Sequence, residues 1–159
     1  MLPHVPYGWL PKGKQTGIKA DNRRVINLFG LMSLDQKLTV YPTTKSINAQ
    51  FIIKALNSFA VSIQKPTVIV LDQAPWHTAQ DILDQIEKWQ QKQLYLFFLP
   101  TYSPQLNAIE ILWRFIKYKW LKPQHYTDAK TLKEAILDIC RNFGDSHCIN
   151  FSKNFLLLE

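Results

Sequence analysis

The sequence predicts an α/β protein: a β-hairpin followed by alternating strands and helices, forming a mixed sheet with helices on its faces. Three observations carry that expectation. Two runs rich in β-branched and aromatic residues, "RVINLFGLMS" and "KLTVYPTT", flank the polar triplet "LDQ". Two continuous apolar runs of strand length, "TVIVLD" and "LYLFFLP", enclose a stretch whose apolar residues recur at helical spacing. Two further stretches with helical spacing follow them.

Taken in order, the opening segment is rich in Pro, Gly and Lys and reads as irregular or edge-like. The hairpin comes next. In "INAQFIIKALNSFA" the residues Ile52, Ala55, Leu56 and Phe59 share one face, so a helix follows. "TVIVLD" lacks polar alternation, which suits a strand covered on both faces in a parallel sheet. "HTAQDILDQIEKWQ" places Ala79, Ile82, Leu83, Ile86 and Trp89 on one face, with Thr78 as cap and Asp81 as first-turn acid, and predicts one continuous helix. "LYLFFLP" completes a right-handed βαβ unit. A third helix, "LNAIEILWRFIKYKWL", is expected to bury Leu106, Ile109, Leu112 or Trp113, Ile116 and Trp120. A fourth, "TLKEAILDICRNFG", turns Leu132, Ile136, Ile139, Cys140 and Phe143 inward and stops at Gly144.

Composition bounds the function. At 159 residues and 47% apolar content, the chain can bury a real core, and a single domain is the expectation. A formal charge of +7 points to a polyanionic partner, with nucleic acid foremost. No apolar stretch approaches the ~20 residues of a membrane span, and the N-terminus lacks the apolar core of a signal peptide, so a cytoplasmic protein with no membrane partner is expected. The two cysteines, Cys140 and Cys148, have no zinc-binding spacing; Cys140 reads as a core residue. No Gly-rich phosphate loop follows either apolar strand, which argues against a nucleotide-binding protein.

Two acids stand where apolar runs give way to turn residues. Asp72 follows "TVIVL", and the carboxyl ends of parallel strands line ligand crevices; taken alone, an Asx-turn is the favoured reading of it. Glu110 occupies the capping-box position if Asn107 caps the third helix, and it is also spaced to pair with Arg114. Yet Glu110, Arg114 and Lys117 form one stripe, and a carboxylate that holds a cation beside a basic edge suits the cutting of a nucleic acid. His77 reads as a hydrogen-bonding residue near the helix entry, with a direct role toward substrate or metal as the alternative. Trp76 and Trp113 read as packing residues. Lys12 and Lys14, in the basic opening segment, suit phosphate contacts or a solvated face.

These residues resemble a known family. "LDQAPWH" is similar to the "LDNAPxH" segment, and "LPTYSPQLNAIEILW" to the "LPPYSPELNPIExxW" segment, of mariner-superfamily transposases in insertion sequence family 630. "YGWLPKGKQ" and "RVINLFGLMS" extend the likeness to about residues 3 to 122. The resemblance implies a ribonuclease-H-like fold and a DDE metal site that cuts and joins DNA with Mg2+ or Mn2+. Asp72 matches the family's second acid and Glu110 its third, at a similar interval. Gln73 stands where Asn is common, and Ala108 where Pro is common. DNA is the implied partner, and a homodimer is a further expectation.

The first acid of the family lies on an opening strand upstream of "YGW", but here Met1 stands close before Tyr7. The resemblance therefore implies a mixed sheet, with helices on both faces, that lacks its central first strand and first aspartate. Asp21 and Asp35 read as loop acids rather than replacements. The helix-turn-helix segment that recognises element ends in such transposases is not matched either. Backbone groups facing the resulting gap would cost about 1–3 kcal/mol each if buried unpaired, so an upstream polypeptide is expected to supply the strand, unless the gene is a decayed remnant. The expected activity is that of a transposase catalytic domain incapable of cleavage alone; the alternative is a non-catalytic DNA-binding or regulatory remnant.

Overall fold

The computed structural model describes residues 26–101, 103 and 106–151. The hairpin is formed by β1 (Asn27–Met32) and β2 (Leu38–Thr43), antiparallel with Phe29 opposite Tyr41. Its turn closes through bonds from Ser33 N–H to the Lys37 carbonyl and from Gln36 N–H to the Ser33 carbonyl, both 3.0 Å, with Gln36 in the left-handed region at φ 63°. Alternation along the strands sends side chains to two different cores. Phe29, Leu31 and Tyr41 pack into one, while Leu28, Met32, Leu38 and Val40 pack into the other.

The first core belongs to the middle of the chain. Asn48 caps α1 (Ala49–Ser62) by accepting from Phe51 N–H at 2.9 Å, and Ile52 and Leu56 are wholly buried. β3 (Thr67–Leu71) and β4 (Leu94–Phe98) pair in parallel, Ile69 opposite Leu96. Between them the expected single helix is divided into α2 (Gln80–Leu83) and α3 (Ile86–Gln91). The break is a tightened turn in which Gln85 N–H reaches back three residues to the Ile82 carbonyl. Thr78 does not cap: Ala79 precedes α2 and no side chain bonds the helix start. Asp81 does stand in the first turn, where it accepts from Gln50 Nε2 of α1 at 3.0 Å. Buried Trp89 gives its indole N–H to Asn57 at 2.8 Å.

The second core is built from α4 (Ala108–Phe115), a π-helical turn over Ile116–Trp120, a 3-10 turn over Pro123–Tyr126, and α5 (Ala129–Arg141). Ile111, Leu112, Ile116, Ile136, Ile139 and Cys140 are buried there. Cys140 is thus a core residue, and burial pushes its thiol up to about 11. Leu106, expected inside, is exposed, because α4 begins only at Ala108 and Leu106 belongs to the preceding turn. Helix α5 ends at Arg141, before Gly144; that glycine takes a left-handed φ of 91°, and a Cβ there would lie 2.6 Å from the Gln36 carbonyl oxygen.

The sheet is divided, and one expectation about it is corrected. Among the described residues the strands form two separate two-stranded ribbons, β1–β2 and β3–β4, with no ladder between them. Nor is β3 covered on both faces. Ile69 and Leu71 point into the first core, but Val68 is 61% exposed and Phe97 of β4 is 56% exposed, with Val70 and Tyr95 beside them. The reason is where the later helices lie: α4 packs on β1 and α5 on β2, so the hairpin is covered on both sides and the parallel ribbon on one. Among the described residues no helix is long and apolar enough to cross a membrane.

Candidate active site

Asp72 is the first residue beyond β3. Its Oδ1 accepts from the Ala74 N–H at 3.2 Å, an Asx-turn, and lies 2.7 Å from His77 Nδ1. The same Nδ1 is 3.1 Å from the Asp72 carbonyl oxygen. Both neighbours are acceptors, so Nδ1 carries the proton and donates. The turn reading of Asp72 therefore holds for one oxygen and leaves the other in place for chemistry. Among the described residues Oδ2 has one partner, the amide of Asn107 at 3.5 Å.

The surroundings fix that loop. Gln73, standing where Asn is common, gives its amide to the Leu99 carbonyl at 2.9 Å, and Leu99 N–H bonds the Leu71 carbonyl, so the ends of β3 and β4 are laced together. The His77 ring meets Phe29 of β1 at 6.2 Å between centroids and Trp76 edge-on at 6.5 Å. Trp76 is 47% exposed and lines the cleft, not the core, contrary to the packing expectation. Trp113 does pack, against the second core and Gly30.

Glu110 sits in the first turn of α4. The position of that helix is set by Gly30, where a Cβ would lie 2.9 Å from Ile109 Cδ1 and from a ring carbon of Trp113. Only a bare backbone lets α4 approach β1 so closely. Glu110 and Asp72 consequently line one cleft of about 810 Å³. The Glu110 carboxyl is held above the usual glutamate range, first by burial against the cleft wall and second by the negative charge of Asp72. The oxygens of the two acids thus share one region of space, close enough to repel. No capping box forms: the Glu110 N–H bonds the backbone carbonyl of Asn107 at 3.0 Å, and the Asn107 side chain bonds no helix N–H. Among the described residues no ion pair joins Glu110 to Arg114.

The cleft has a definite shape. Its walls are the outer edges of the two ribbons, Leu28 to Met32 of β1 and Thr67 to Leu71 of β3, neither of which has a strand partner on that side among the described residues. Arg114 and Lys117 follow Glu110 along α4 and the π-helical turn, with Lys117 Nζ 4.9 Å from the centroid of the Tyr118 ring and Lys119 Nζ 4.1 Å from that of Phe115. Lys12, Lys14 and Asp21 lie outside the described residues. Asp35, in the hairpin turn, is paired with Lys37 at 3.0 Å.

As donors, Asp72 and Glu110 offer hard carboxylate oxygens, the kind that suits Mg2+ or Mn2+. They fit such an ion in chemistry but not in number. Among the described residues there is no group of three or more His, Cys, Asp or Glu that could hold a metal. Sequence reasoning missed two structural residues, Asn107 as a partner of Asp72 and Gly30 as the contact point of α4. A glycine inside the apolar run Leu28–Met32 is the signal that marks Gly30.

Comparison with known proteins adds two findings. A family model described as DDE superfamily endonuclease matches residues 3–133. An uncharacterized protein of Sinorhizobium fredii, y4pE/y4sA, is 34% identical over 61 residues, which cover 38% of this chain and 41% of that protein. The chain spans about two fifths of the length of that curated relative.

Proposed function

The chain belongs to the DDE superfamily endonucleases, and from that premise we propose that it is the downstream part of a transposase catalytic domain of the mariner superfamily, insertion sequence family 630. Its substrate is DNA, and the reaction is cleavage and joining of phosphodiesters. The observation that carries the reading is the convergence of Asp72 and Glu110 on one cleft, where the charge of one raises the pKa of the other. Two carboxylates that far apart in the chain repel at a real cost in stability, and a shared cation offsets it.

In this reading Asp72 and Glu110 hold the ions through their carboxylates, with His77 fixing the orientation of Asp72. Divalent ions there supply activation of an attacking oxygen and stabilisation of the leaving one. Arg114 and Lys117 follow the phosphates of the bound strand, and their contribution to affinity falls as salt rises. Lys12 and Lys14 are proposed to do the same.

Two acids are too few, and we take the third to arrive on a strand laid between β1 and β3. The support is the cleft itself, flanked on both sides by strand edges that have no ladder partner there among the described residues. An upstream transposase polypeptide ending that strand in Asp is the proposed donor. The proposed homodimer has an apolar surface to form on, the exposed face of β3 and β4.

The test is cleavage of linear duplex DNA with Mg2+ or Mn2+, by the chain alone and with a polypeptide carrying the upstream strand. The chain alone should leave the duplex intact; the pair should cut it, and Asp72→Ala or Glu110→Ala should abolish cutting. Robust cutting by the chain alone, lost in Asp72→Ala, would overturn the incompleteness. If no combination cuts but the chain binds DNA in a salt-dependent way unaltered by Glu110→Ala, the chain is a non-catalytic DNA-binding remnant.

A further inference from the structure

We propose that Asn107 is a positioning residue: its side chain leaves the cap of its own helix uncompleted and tethers the Asp72 carboxylate to the start of the helix that bears Glu110. The role of the tether rests on the reading of Asp72 and Glu110 as the acids of the site. The tether itself rests on geometry.

Three helices in the described residues are eight residues or longer, and each begins after a residue with extended backbone and a side chain suited to capping. Two of them use it. Asn48 accepts from Phe51 N–H at 2.9 Å, and Asp128 accepts from Lys130 and Thr131 N–H at 2.8 and 2.9 Å. Asn107 precedes α4 with φ −94° and ψ 94°, and asparagine ranks among the strongest cap residues, yet its side chain bonds no helix N–H. Its amide nitrogen lies instead 3.5 Å from Asp72 Oδ2, a long hydrogen bond to a residue 35 positions away in sequence.

The Asp72 carboxylate is thereby held from both sides. His77 and the Ala74 N–H fix Oδ1, and Asn107 steers Oδ2. A carboxylate oxygen has two lone-pair directions, so one amide leaves Oδ2 a direction for a cation. Because Asn107 also begins α4, any shift of that helix moves both the tether and Glu110. The two acids, one on a strand end and one on a helix, are in this way held as a unit. A residue that orients a ligating carboxylate in this manner typically changes metal affinity by about 10–100-fold when lost.

Amide hydrogen exchange at Ile109 and Glu110, on the whole chain without metal, tests the tether. In Asp72→Ala the Asn107 side chain is released and can cap, so protection of those amides should rise about fivefold, the effect of one N-cap. The rise should vanish in the double variant Asp72→Ala with Asn107→Ala. Asn107→Ser supplies a cap too short to reach Asp72; it should show the same rise, no loss of melting temperature and, once the polypeptide carrying the upstream strand and its Asp is added to complete the site, about tenfold weaker Mn2+ binding by the ion's electron paramagnetic resonance signal. Unchanged protection in both Asp72→Ala and Asn107→Ser would overturn the tether. Raised protection with Mn2+ binding indifferent to both substitutions would leave the tether standing and overturn the reading of the acids.

Discussion

Glu110 shows how the surroundings of one side chain set its chemistry. Its carboxyl titrates above the ordinary range because burial, and then the charge of Asp72, disfavours the ionised form. The folded protein therefore holds the Glu110 proton more tightly than the unfolded chain does. Stability is greatest below the ordinary glutamate value and falls as pH rises through the raised one. Glu110→Gln should accordingly melt higher than the parent protein at neutral pH and no higher in acid, as thermal denaturation across a pH series would show. A difference independent of pH would mean that the charge of Glu110 is not what costs stability. Asp72 and Glu110 stand out as a pair in the sequence because each sits in a long motif, and the structure places both on one cleft. The orientation of Asn107 was not legible in the sequence. A cap and a tether use the same residue at the same position, and only what lies opposite in space, here Asp72, decides between them.

Helices and strands were legible to the extent that their periodicity was uninterrupted. The hairpin, α1, both parallel strands, α4 and α5 stand close to where the alternating and helical patterns put them. The break between α2 and α3 was invisible because a tightened turn preserves the apolar face on either side, Ile82 before it and Trp89 after it. The one-sided burial of β3 was invisible for a different reason. An unbroken apolar run says that both faces avoid water and not which neighbour covers each, and α4 and α5 lie over the hairpin. The contact of α4 with β1 depends on Gly30. Gly30→Val forces branched bulk against Ile109 and Trp113 and should cost about 1–3 kcal/mol, measured by urea denaturation. A variant of unchanged stability would show that α4 can retreat.

At the scale of the molecule, the hairpin is a wall between two cores, and the parallel ribbon is a floor covered from one side only. Val68, Val70, Tyr95 and Phe97 leave an apolar surface of the kind that marks contact sites. Sedimentation should show concentration-dependent association of the chain that is abolished by Val70→Lys with Phe97→Lys; a monomer at all concentrations, with or without those substitutions, would exclude the homodimer. The segment after α5 also has an architectural part. Gly144 lies against the Gln36 carbonyl in the hairpin turn, and Gln36 Oε1 accepts from Ile149 N–H at 2.8 Å. The family model matches as far as residue 133, partway along α5, while Ile136, Ile139, Phe143 and Ile149 still fill the second core. The matched span is therefore shorter than the folding unit, and a version trimmed to it would forfeit the clasp that locks the hairpin shut.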